Sequence, residues 1–140
     1  TWEDYLRYRD DPTLERVRLF FNTNYLFVDM GNEGINHASI NSLLSMLFAF
    51  WFTRFPEQIA SDLGGVLLEK PNTQAASPDR VLYIGEGFPQ WKPGESRYIN
   101  LNQWRVPDLV CEVGDTTLSS DLDEQKKLYA TLGVPEYWVI

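Results

Sequence analysis

The residues best suited to chemistry in this chain are two acids. Asp79 follows Pro78 at the start of the apolar run "DRVLYIG", and Glu112 lies inside a second run, "DLVCEV". An acid in the middle of an apolar strand costs several kcal/mol unless it is paired, hydrogen-bonded or bound to a cation. Glu112 therefore requires a partner. If the two runs are neighbouring strands, both carboxylates can converge on one hard cation such as Mg²⁺, which takes oxygen ligands and typically uses one or two carboxylates plus waters and substrate phosphate. The competing reading makes Asp79 a turn residue and Glu112 a partly exposed strand residue. Asp108 is not the second ligand. It lies four residues from Glu112 on the same strand, and a rise of about 3.3 Å per residue separates the two by roughly 13 Å. Asp108 instead caps the start of the strand.

Other residue types have ordinary explanations beside functional ones. His37, the sole histidine, is either an acid/base or a first-turn helix residue, and its position favours the second. Glu33 precedes that helix in a turn and could reach a metal from there. Trp91, Tyr98 and Trp104 could stack on bases, although loop and core aromatics serve packing more often. There is no CxxC pair, HExxH, GxSxG or phosphate-binding glycine loop.

The elements that must position the acids follow from periodicity. In "DLVCEV" Leu109, Cys111 and Val113 face one way, and Asp108, Val110 and Glu112 the other. A helix over 120–131 comes next, with an N-cap at Ser120 or Asp121 and a capping-box partner at Glu124. Gly133 and Pro135 end it. At about 100° per residue, Leu122, Leu128, Tyr129 and Leu132 form one stripe with Gln125 near its centre, facing the sheet that carries Glu112. Lys126 lies on the rim beside Leu122, and Lys127 faces water. The strand "EYWVI" then returns the chain, and a strand–helix–strand crossover of this length suits a parallel pair.

Upstream, "TWEDYLRYRD" reads as a short amphipathic helix with Trp2, Tyr5 and Leu6 inward. "RVRLFF" and "YLFVDM" flank "NTN" as an antiparallel hairpin. From Asn36 to about Arg54, Ile40, Leu43, Leu44, Leu47, Phe48 and Trp51 recur at helical spacing, with Phe50 and Phe52 on another side, so this helix is expected to be buried on more than one face. "GGVLLEK" and "DRVLYIG" are strands on either side of a loop, "PNTQAASP". Residues 86–100 are rich in Gly, Pro and polar residues and read as a long surface insertion, a candidate lid on the substrate side.

A chain of 140 residues fits one domain, with 1–34 forming the N-terminal helix and hairpin and 35–140 the core. A single cysteine, Cys111, within a strand excludes a disulfide framework and favours a reducing compartment. With no long apolar span and no signal-peptide pattern, the expected setting is the cytoplasm. The absence of an initiator Met and the apolar end suggest part of a longer protein. A net charge of −8 argues against a generic basic nucleic-acid surface, but not against a site that meets phosphate through a carboxylate-bound cation.

"SPDRVLYIG", "PDLVCEV", "DLDEQKKLYATLGVPEYWVI" and "YLFVDMGNEGINHASI" together resemble the Uma-two family, within the PD-(D/E)XK restriction-endonuclease-like superfamily. The resemblance runs from about Arg18 to Ile140 and leaves the 86–100 loop unmatched. It implies an α+β, or α/β, fold whose core is α-β-β-β-α-β, a mixed sheet flanked by helices, here preceded by a helix and a β-hairpin. It implies Asp79 and Glu112 as metal ligands, with the Val113 backbone carbonyl as a third. The family's lysine usually lies four residues before a Tyr matching Tyr129, which places Gln125 at the lysine position and leaves Lys126 one step round the helix. An N-terminal Glu of many relatives has Glu33 as its nearest candidate here.

The function this implies is a Mg²⁺- or Mn²⁺-dependent DNA endonuclease, in which Lys126, or Gln125 by hydrogen bonding alone, orients the attacking water. The alternative is a catalytically degenerate nuclease-fold protein that binds DNA or a protein partner without cutting, the discriminating feature being whether any ammonium reaches Glu112. A structural or oligomerisation role is a third class. DNA is the expected partner, a membrane is not, and a homodimer stays open.

Overall fold

A computed structural model describes residues 1–114 and 121–140. The chain starts with helix α1 (Trp2–Arg9), whose N-terminus is closed by a capping box between Thr1 and Asp4. The hairpin β1 (Arg18–Asn22) and β2 (Tyr25–Asp29) follows, then helix α2 (Ile35–Arg54). Next come strands β3 (Ala60–Gly64), β4 (Leu68–Lys70), β5 (Gln74–Ala76), β6 (Arg80–Ile84), β7 (Ile99–Asn100) and β8 (Leu109–Glu112). A π-helical turn, Asp121–Gln125, runs into helix α3 (Lys126–Leu132), and β9 (Glu136–Val139) completes the order. The N-cap expected at Ser120 or at the Asp121 side chain lies outside what the structure describes.

The strands make two sheets, ordered β2-β1-β5-β4-β7 and β3-β6-β8-β9. In the second, β6 is antiparallel to β3 and β8, while β8 and β9 run parallel across α3. Helix α2, strands β3, β6 and β8, helix α3 and strand β9 follow the α-β-β-β-α-β order. The first of these strands, however, is Ala60–Gly64 and not the expected "GGVLLEK", which breaks at Gly65 (φ 65°) and sends Leu68–Lys70 to the other sheet.

Alternation along the strands sorts the core into layers. Val81, Tyr83 and Val110 face the first sheet and α3, packing with Phe20, Leu68, Leu128, Tyr129 and Leu132. Leu82, Leu109, Cys111 and Val113 face the other way and meet Leu44 and Phe48 of α2. On the outer face of the first sheet, Tyr5 of α1 covers Leu19, Phe21 and Ala75. Tyr5 also donates to the buried Glu69 at 2.6 Å, and Arg9 pairs with the same carboxylate at 2.8 Å. Full burial of such apolar side chains contributes about 1.5–3 kcal/mol each.

Three further sequence expectations are corrected. "PNTQAASP" is not all loop: Gln74–Ala76 is a buried strand inserted between β1 and β4. Its small side chains carry little strand signal, and pairing on both sides sets its conformation. Helix α2 is buried along one stripe only, for Leu43, Leu47 and Trp51 are exposed. Leu122 is also exposed. A π turn holds more residues per turn than an α turn, so Leu122, within it, is rotated out of the α-helical register that places Leu128, Tyr129 and Leu132 in the core. Gly133 ends α3 at φ 87°, a left-handed conformation that glycine adopts without strain, and Val134 N–H donates back to Tyr129 O at 3.0 Å.

Candidate metal and phosphate site

The β6–β8 register brings the two acids together. Arg80 stands opposite Cys111, so Asp79 and Glu112, one step further along each strand, are cross-strand neighbours on one face. That face looks toward α3 and the first sheet. Arg18, on the inward side of β1 with Phe20, reaches across the layer. Its Nη2 lies 2.5 Å from Glu112 Oε2 and 3.4 Å from Asp79 Oδ1, so these oxygens are no more than about 5.9 Å apart.

Glu112 is 1% exposed. Its second oxygen, Oε1, accepts a hydrogen bond from the Tyr129 hydroxyl at 2.6 Å. Burial pushes the Glu112 carboxyl well above the usual range; Arg18 opposes that, and the neighbouring Asp79 adds to it. Asp79 is nearly as buried. Its Oδ2 accepts from the Val113 backbone N–H at 2.7 Å, and its Oδ1 lies 3.1 Å from His37 Nε2. His37 Nδ1 in turn lies 2.7 Å from Glu33 Oε1, so one imidazole bridges Glu33 to Asp79. Asp108, by contrast, is structural: it accepts from Ile84 N–H and from Arg105.

Asp79 and Val113 line an open cavity of about 790 Å³ whose wall also carries Arg16, Arg18, Glu33 and His37. Arg16 is exposed, holds a left-handed φ of 56°, and has no hydrogen-bond or ion-pair partner among the described residues. For a residue with a side chain that conformation is uncommon and costs of order 1 kcal/mol.

The remaining predicted residues separate by position. Gln125 is 3% exposed and lies one helical turn before Tyr129, on the side of the helix that faces Glu112. Its Oε1 is a buried acceptor without a hydrogen-bond partner among the described residues. Lys126 is exposed and has no hydrogen-bond or ion-pair partner among the described residues, so the structure does not bring it to the carboxylates; Lys127 pairs with Glu124 at the surface. Glu33 meets Asp79 only through His37. The residues that sequence reasoning passed over are Arg18, His37 as a bridge and the Tyr129 hydroxyl. Arg18 carried one signal, its alternation with Phe20 on a strand beginning beside the predicted site. Cys111 packs under Glu112 as a core residue, where burial pushes its thiol up to about 12.

These donors suit a hard divalent cation. Two convergent carboxylates and an unsatisfied amide oxygen nearby are oxygen ligands or water acceptors of the kind Mg²⁺ and Mn²⁺ use. Among the described residues no three His, Cys, Asp or Glu side chains are arranged to hold a metal ion together. The rest of the coordination would therefore come from water, backbone carbonyl and substrate phosphate.

A helix, three antiparallel strands, a crossover helix and a parallel strand, with paired acids at the β6–β8 junction, define a nuclease-like α+β protein. The chain belongs to the Uma2 family, described as "Putative restriction endonuclease", whose model matches residues 2–140. That match takes in α1 and the 86–100 segment, which the sequence resemblance left out. In fold, the chain is similar to the crystal structure of "a putative nuclease belonging to DUF820" from Anabaena variabilis ATCC 29413. The TM-score is 0.68 at 19% identity, over 100% of this chain and 73% of that one. No curated protein shows a significant sequence match.

Proposed function

We propose that this chain hydrolyses phosphodiester bonds in DNA with the help of Mg²⁺ or Mn²⁺ held by Asp79 and Glu112, the Val113 carbonyl being a further ligand. The observation that carries the reading is the meeting of two buried acids through Arg18, with Asp79 lining an open, arginine-bearing cavity and Glu112 directly behind it. When bound, the cation supplies Lewis acidity toward the scissile phosphate and a more acidic water. The chain's own residues do the rest. His37 and the Val113 N–H orient Asp79 from two sides, and Tyr129 fixes one oxygen of Glu112. Gln125 offers a free acceptor to a water proton. Arg18 supplies the positive charge that no ammonium supplies, and it can offset charge on a phosphate oxygen while remaining protonated. Arg16 is free to meet a neighbouring phosphate on the cavity rim.

One observation favours a second reading, a nuclease fold that binds DNA without cutting. Arg18 already stands as counter-ion against both acids, and the lysine position holds Gln125. Plasmid DNA incubated with Mg²⁺ or Mn²⁺ separates the two. Nicking that disappears in Glu112→Gln supports hydrolysis; DNA binding with no nicking under either metal supports the second reading. A cytoplasmic setting is part of the same proposal. Among the described residues, no helix is long and apolar enough to cross a membrane.

A further inference from the structure

Helix α2 turns a second apolar face outward. Leu44 and Phe48 lie in the core, yet Leu43, Met46, Leu47, Phe50 and Trp51 are each between 49% and 63% exposed. Their spacing of i, i+3, i+4, i+7 and i+8 is that of a continuous stripe along one side of a helix. Together they expose on the order of 600 Å², at the upper limit for one apolar patch on a monomer and close to the roughly 800 Å² each partner buries in a standard interface.

We infer that this face is where a second copy of the chain docks, α2 against α2 about a two-fold axis near Leu47. Three observations select that occupant. Residues 35–53 contain no Asp, Glu, Lys or Arg, so two chains of net charge −8 can meet here without bringing like charges into contact. The one cation of the helix, Arg54 at its end and over the Phe50 ring, is too little charge for the electrostatic attraction that a nucleic acid or an anionic lipid surface requires. The stripe is also self-complementary. In an antiparallel pair centred on Leu47, Leu43 of one copy meets Trp51 of the other and Leu47 meets its own mate, as an isologous interface demands. None of the five residues lines the cavity that holds Asp79, so both sites stay open to substrate.

Sedimentation velocity on this 140-residue chain at tens of micromolar should give twice the 16.2 kDa chain mass. The variant Leu47→Glu/Phe50→Glu should run as a folded monomer whose melting temperature, unlike that of the wild type, does not depend on protein concentration, because both positions are exposed in the single chain. Under mild oxidation Leu47→Cys should form a covalent dimer within minutes, while Lys92→Cys, exposed on the 86–100 segment, should not. Cys111 is buried and does not interfere. A wild-type monomer at these concentrations overturns the inference. So does a dimer that survives the double substitution, or one trapped at Lys92→Cys in preference to Leu47→Cys. The result is independent of whether the chain cuts DNA.

Discussion

Arg18 and Glu112 meet across 94 residues of sequence, with Nη2 of the guanidinium 2.5 Å from a carboxylate oxygen that is otherwise sealed from water. The same nitrogen serves Asp79, so one cation from the first sheet is counter-ion to both acids of the second. Any divalent cation bound between these acids shares them with Arg18 or displaces it.

The first expectation concerns that cation. A ligand that binds only the folded state, at a hundred times its Kd, stabilises by about 2.7 kcal/mol. Mn²⁺ or Mg²⁺ should therefore raise the melting temperature by several degrees in scanning calorimetry, and EDTA should reverse the rise. Asp79→Asn should abolish it. An equal rise in that variant would place the metal elsewhere.

Replacing the guanidinium tests the competition. Arg18→Met leaves two buried acids facing each other, and loss of one partner of a buried pair costs about 3 kcal/mol or more. The variant should be destabilised in EDTA and recover with Mn²⁺ by more degrees than the wild type gains. A smaller gain would mean that Arg18 helps to build the metal site.

At the lysine position, Gln125→Lys would put an ammonium on the buried side of the helix that faces Glu112. An amide cannot offset charge on a nucleophilic hydroxide, whereas an ammonium can. Cleavage should rise at least tenfold, which is about 1.4 kcal/mol of barrier, as measured by supercoiled-plasmid decay. Lys126→Ala should change nothing, because Lys126 is exposed and unpaired among the described residues. Loss of cleavage in Lys126→Ala would contradict the placement.

Arg16 should be felt in binding. If its guanidinium meets a backbone phosphate, Arg16→Ala weakens duplex affinity for all sequences alike and reduces the log–log salt slope by about 1. Fluorescence anisotropy over a salt series reads both. An unchanged slope would remove Arg16 from the interface.

What was legible in the chain followed local periodicity. Alternation in "DLVCEV" sent Cys111 to α2 and Glu112 to the opposite layer, and the helical period turned Gln125 and Tyr129 inward. The parallel β8–β9 pair followed from crossover length. The unread parts depend on distant partners. Arg18, Glu112 and Asp79 are set in one place by two separate sheets, and no window of sequence contains that relation. His37 looked like a first-turn helix residue because its partner Asp79 is 42 positions away and joins it only through the β6–β8 register. Strand β5 was hidden for the same reason, with both of its partners lying outside its own three residues.

The backbone around Glu112 is held from both sides by the end of the parallel crossover: Ile140 N–H donates to Glu112 O at 3.0 Å, and Gly114 N–H donates to Ile140 O at 2.8 Å. The two amides lock the carbonyl of the acid and the residue just past Val113 into one ladder. Local opening of the sheet here would have to break both bonds together and expose Val110 and Cys111. In hydrogen exchange the amides of β8, which is paired on both sides, should count among the slowest, reporting whole-molecule unfolding. Asp79 has its own carbonyl held by the Gly65 N–H at 3.1 Å, but its side chain lines the cavity, whereas that of Glu112 does not. Of the two acids, Glu112 is the enclosed reference point, and adjustment to a bound cation falls to the Asp79 side chain.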